Sequence, residues 1–174
     1  MLKTDINYIG KMKEGIQRMK PKTKDSGDSK KDINLLYFNQ DEVKTINKKK
    51  IELVVDMRER NRFPMLGFCN EGELKKCLKE KCNCDYLYNS MLAPMCGYYE
   101  AYTERAISWD EYVAKYKETL SERGIAGRFL IDCMKYERIM IICLGKTPGR
   151  CSRKLLAEWL QERIRGIEIE IKHL

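Results

Sequence analysis

Apolar positions in this chain fall into two kinds of pattern that alternate along its length. Short runs read as buried strands: Leu35-Leu36-Tyr37-Phe38, then Glu52-Leu-Val-Val-Asp-Met57, then Asp85-Tyr86-Leu87-Tyr88. Arg138-Ile-Met-Ile-Ile-Cys-Leu144 is the most hydrophobic of them, and Glu168-Ile-Glu-Ile-Lys172 is the last. Between them the spacing turns helical. Asn39 or Asp41 is a candidate cap for a helix reaching Lys49, and Asn70–Lys79 sets Leu74, Cys77 and Leu78 on one face. Ser108 caps a helix to about Leu120 with Trp109, Tyr112, Val113 and Tyr116 at helical spacing, and Gly124 stops it. Helices over Ile125–Met134 and Ser152–Arg163 complete the series. Strands alternating with helices predict a single three-layer α/β domain: a mainly parallel sheet of about five strands with helices on both faces.

The first fifth of the chain breaks this pattern. Residues 6–10 read as a short extended piece, followed by a basic amphipathic stretch; residues 21–31 are polar, with Pro, Gly and Ser and no aliphatic side chain. The expected division is therefore a basic N-terminal extension and linker, 1–32, ahead of the α/β domain, 33–174. That extension holds nine of the 34 basic residues and five of the 26 acidic ones, about half of the net charge of +8. A basic balance favours phosphates or anionic surfaces, yet high Lys, Arg and Glu together also mark heat-adapted proteins.

The 174 residues suffice for one core without disulfide or metal staples. Charges interrupt every apolar run short of a membrane span, and the first residues lack a secretory signal, so the expectation is a cytoplasmic protein with no membrane partner. Eight cysteines in such a chain would be free, metal-bound or catalytic. The lone histidine, His173, argues against imidazole chemistry. Cys77, Cys82, Cys84 and Cys96 superficially suggest a thiolate metal site, but the paired Cys-x-x-Cys knuckles of structural zinc are missing, and core packing is favoured for Cys77 and Cys84. No metal site is assigned, and no cofactor is identified.

In open α/β sheets ligands bind beyond the carboxyl ends of the strands. Two segments lie there. Asp56 ends the second strand and Arg58 and Arg62 follow on the exit loop; alternation puts Asp56 and Arg58 on one side, either as a loop-fixing pair or as a base and an anion ligand. After the fourth strand, Cys143-Leu-Gly-Lys-Thr-Pro-Gly-Arg150-Cys151-Ser152-Arg153-Lys154 carries four cations and no acid directly into a helix. The N–H groups and dipole of a helix start favour anions, and Arg150, Ser152 and Arg153 would add donors. The Walker glycine spacing is absent. Cys151 is the more reactive thiol candidate because cations and a helix start lower a thiol pKa. Six residues separate Cys143 from Arg150, which is not the five-residue spacing of cysteine phosphatases.

Val55-Asp56-Met57-Arg58 with Gly67-Phe68, Leu92-Ala93-Pro94 with Ser108-Trp109 and Tyr112, and Cys143 with Cys151-Ser152-Arg153 and Leu155-Leu-Ala-Glu-Trp-Leu160 occur in a recognisable order. Together they resemble the family catalogued as domain of unknown function 488, over about residues 33–174. Ser152 stands where that family usually has His, and the segment from Ile33 to Asn39 lacks its entry loop. The resemblance implies an α/β fold with a shared polar cleft and no assigned reaction.

The residues thus point to an anion-binding cleft, possible as an enzyme site with Asp56, Cys143 and Cys151 as catalytic candidates and Arg58, Arg62, Arg150, Ser152 and Arg153 as anion ligands. Its partner would be an anionic small molecule or nucleotide: a phosphorylated metabolite, a nucleotide or a nucleic-acid end. Two other readings stay open, a nucleic-acid-binding module that uses the same arginines and the N-terminal arm, and a cysteine-ligated metal protein. The sequence specifies no oligomeric state.

Overall fold

A computed structural model describes residues 30–35, 42–59, 71–133, 135–143 and 149–174. The N-terminal extension up to residue 29, Arg62, Cys69 and the loop 144–148 lie outside the described residues. Five strands, β1 (Lys30–Leu35), β2 (Leu53–Asp56), β3 (Asp85–Tyr88), β4 (Arg138–Ile142) and β5 (Glu168–His173), form one parallel sheet in the order β3-β2-β4-β1-β5. The helices are α1 (Glu42–Lys49), α2 (Glu71–Cys82), α3 (Tyr98–Thr103), α4 (Trp109–Glu122), α5 (Ile125–Cys133) and α6 (Ser152–Arg163). The chain is a single α/β domain.

The strand pleat sorts the core into two layers. Leu53, Val55, Ile139 and Ile141 face α4, α5 and α6, where Tyr112, Tyr116, Leu120, Phe129, Leu156 and Leu160 pack on them. Val54, Met140 and Ile142 face the other way, onto Ile46 of α1 and Leu74 and Leu78 of α2. Helices therefore cover both faces, as the alternating pattern requires.

β1 differs from expectation. Hydropathy places the strand at residues 35–38, of which 36–38 lie outside the described residues, whereas the sheet takes in Lys30–Leu35 and so begins inside the stretch whose composition reads as a linker. Polar residues enter an internal strand here because each finds a partner. Lys30 pairs with Glu168 and Glu170, Lys172 Nζ lies 2.6 Å from Asp32, and Lys31 Nζ donates to the Tyr136 carbonyl. Buried Asn34 donates to the Ile139 carbonyl on β4.

α4 follows its sequence signals closely. Ser108 accepts from the Glu111 N–H while the Glu111 carboxylate accepts from the Ser108 N–H, a reciprocal cap. At the other end Gly124 takes φ +62°, a left-handed turn that ends the helix. α3 and the short 3-10 turn Ser90–Leu92 carry no such periodicity and were not expected from the sequence.

Candidate functional site

The connection after β2 runs to β3 at one edge of the sheet, and the connection after β4 crosses β1 to reach β5 at the other. Adjacent strands β2 and β4 therefore part company at their carboxyl ends, and a crevice opens there. Register sets Asp56 opposite Ile142, so Met57 and Cys143 come out side by side, tied by Met57 N–H to the Ile142 carbonyl at 3.1 Å. A cavity of about 230 Å³ occupies this crevice. Met57, Arg58 and Cys143 form its floor, Ala93, Pro94, Met95 and Tyr99 one wall, and Arg150, Cys151 and Ser152 the other.

The wall is fixed from behind by α4. Tyr116 Oη donates to the Leu92 carbonyl, and Arg123 Nη1 donates to the carbonyls of Met91 and Ala93 at 2.6 and 2.7 Å. The Leu92-Ala93-Pro94 motif is thus held at its backbone, with Leu92 and Ala93 buried.

Asp56 and Arg58 do share one side of β2, and the sequence-level alternative of a structural pair describes them. Arg58 Nε lies 2.9 and 3.1 Å from the two Asp56 oxygens, Arg58 Nη2 lies 2.5 Å from Oδ2, and the Arg58 N–H also donates to the carboxylate. Tyr86 Oη on β3 adds a further donor at 2.7 Å. The carboxylate has no exposed surface and does not line the cavity, so the candidate base is occupied as a brace that aims Arg58. Tyr86 was missed in the sequence. Its position becomes readable once β2 and β3 are in register, because Val54 faces Tyr86 and Asp56 lies two residues on along the same face.

Arg153 is a second correction. It was expected to reach an anion in the cleft, but its side chain is fully buried and does not line the cavity. Its Nε lies 3.2 Å from the Cys151 sulfur. Arg150 lines the cleft, as Arg58 does, and its guanidinium lies over the rings of Tyr102 and Trp109 at 5.6 and 5.8 Å and donates to Tyr102 Oη. Trp109 stacks on Tyr112 at 5.1 Å, and Tyr112 Oη shares a 2.9 Å hydrogen bond with Ser152 Oγ. The Ser-Trp-x-x-Tyr element thereby supports both Arg150 and Ser152.

Cys151, not Ser152, occupies the N-cap position of α6, in extended backbone. Its sulfur lies 3.5 Å from that of Cys143. The Cys151 thiol is drawn down from 9.0 to about 5, first by the hydrogen bond from Cys143, against the opposing effect of burial, with the Arg153 charge and the N–H groups of Lys154 and Arg153 contributing further. Burial acts the other way on Cys84 and Cys133, each pushed up to about 12. Among the described residues, no group of three or more His, Cys, Asp or Glu side chains is arranged to hold a metal, and Cys77, Cys84 and Cys133 are buried as small core residues. No helix among the described residues is long and apolar enough to cross a membrane.

Residues 38–160 match the family model described as domain of unknown function DUF488. The chain belongs to this family. No curated protein and no solved structure matches it. The matched span of the DUF488 domain runs from just before α1 almost to the end of α6, and so includes both cysteines, Arg150 and the aromatic support.

Proposed function

We propose that the cleft binds a small anionic ligand, a phosphorylated metabolite, nucleotide or nucleic-acid end, and that Cys151 acts on it as a nucleophile. One observation carries the reading: the Cys151 sulfur and the Arg150 guanidinium line the same cavity at the start of α6. The surroundings of the first lower its thiol pKa, which favours the thiolate, and the guanidinium of the second lies over two aromatic faces. A thiolate attacks electrophilic centres far faster than a thiol, and a guanidinium beside it binds the oxygens of a phosphate or carboxylate in a fixed orientation. Arg58 and Arg153 serve differently. Arg58 is spent on Asp56, and Arg153 stabilises the nucleophile.

Calorimetric titration with inorganic phosphate tests the binding part. Wild-type protein is expected to bind, and Arg150→Ala to lose at least ten-fold in affinity, about 1.4 kcal/mol, with an unchanged circular dichroism spectrum. Equal binding by both proteins, or none by the wild type, would overturn it.

A further inference from the structure

Cys143 contributes more than one hydrogen bond to the site. Its sulfur sits at the carboxyl end of β4 and that of Cys151 at the start of α6, 3.5 Å apart, and both line the cleft. Bonded sulfurs lie ~2.05 Å apart, so the pair needs to close by only about 1.5 Å to join. The surroundings treat the two sulfurs unequally. Cys151 has Arg153 Nε at 3.2 Å and sits on the helix cap, while Cys143 ends a buried strand. One poised sulfur with a second in contact is the arrangement of a two-electron thiol couple, in which one thiol attacks and the other resolves.

We infer that Cys151 and Cys143 form a reversible dithiol–disulfide couple that reduces hydroperoxides, Cys151 as the attacking sulfur and Cys143 as the resolving one. A small oxidant is indicated because Cys151 and Cys143 are only 2% and 7% exposed at the bottom of a cavity of about 230 Å³, which admits a hydroperoxide and excludes a folded protein disulfide. In the first step the Cys151 thiolate attacks one peroxide oxygen. The S–O bond forms, the O–O bond breaks, and the departing hydroxide or alkoxide takes a proton from solvent. In the second step Cys143 gives up its proton and attacks the Cys151 sulfenic sulfur. The S–S bond forms and the hydroxyl leaves as water. The two sulfurs lose two electrons and the peroxide gains them, and an external dithiol restores the starting state.

The other close cysteines lack this asymmetry. Cys82 and Cys84 both have raised pKa values through burial, and Cys77 lies on the core face of α2. The couple shares Cys151 with the proposed ligand site but does not require the ligand.

The test treats the full chain with one equivalent of hydrogen peroxide at neutral pH, quenches it in acid, and maps the peptides by mass spectrometry. The expected result is loss of two thiols per chain, a crosslink between Cys143 and Cys151, and full recovery with dithiothreitol. Cys143→Ser should stop at a sulfenic acid on Cys151 that dimedone traps. Cys151→Ser should slow thiol loss at least ten-fold, since it removes the attacking sulfur. Oxidation that joins other cysteines, or that carries Cys151 to the sulfinic acid without a crosslink in the wild type, would overturn the couple. Wild-type protein that forms the crosslink but binds no inorganic phosphate removes only the ligand reading, and wild-type protein that binds phosphate without forming the crosslink removes only this one.

Discussion

Arg153 Nε approaches the Cys151 sulfur to 3.2 Å although both side chains are buried, so a guanidinium two residues along the chain serves the thiol of the residue at the N-cap position of the same helix. Sequence spacing alone suggested that this arginine would reach outward. The helix start turns it inward, and the cation it supplies is directed at sulfur.

The consequence for reactivity is direct. Alkylation of Cys151 by iodoacetamide should rise through a half-point near pH 5, while Cys84 and Cys133 stay unreactive until far into the alkaline range. Arg153→Gln should move the Cys151 half-point upward, since it removes one of the influences that lower it. Rates read by peptide mass spectrometry over a pH series check both; an unmoved half-point in the variant would remove Arg153 from this role.

Stability should follow the same titration. The folded thiol sits near 5 and the unfolded one near 9.0, so the unfolded chain binds one more proton in between and stability rises with pH across that window. The contribution is complete above the unfolded value and is lost as pH falls through the folded one. Urea unfolding of wild type and Cys151→Ser at several pH values should show their difference in pH slope confined to this interval.

The buried Asp56–Arg58 pair should be intolerant of one-sided change. Asp56→Asn leaves Arg58 without its counter-charge at a site where both side chains are almost wholly buried, at a cost of about 3–5 kcal/mol. The urea midpoint measures it. A loss below ~1 kcal/mol, the scale of an exposed ion pair, would show that water relieves the pair in solution.

Tyr116→Phe removes the donor to the Leu92 carbonyl inside a fully packed helix face. A cost of about 1–3 kcal/mol is expected for the orphaned carbonyl. The Leu92–Pro94 wall should also exchange its amide hydrogens faster, which hydrogen-exchange mass spectrometry resolves.

Much of the fold was legible from periodicity because the relevant signals are local. Asp85–Tyr88 and the helix from Ser152 to Arg163 match the structure residue for residue, and Ser108 with Gly124 brackets α4. β1 was displaced because its polar residues are stabilised by partners on β5, more than 130 residues away in the chain. α3 is short and leaves no fully buried face, so no apolar stripe announces it. The crevice beyond β2 and β4 was legible as a place, and so were several of the residues that line it. Their division of labour was not, because whether an arginine faces a ligand, a carboxylate or a sulfur depends on pleat and helix phase at the turn. Arg58, Arg150 and Arg153 illustrate all three outcomes.

The parallel arrangement of the strands gives the molecule a front and a back. Lys30 enters the sheet at its rear, and β1 then runs six residues, about 20 Å, toward the end that bears the cysteines. Lys30 and the crevice thus lie at opposite ends of the same sheet, a strand's length apart.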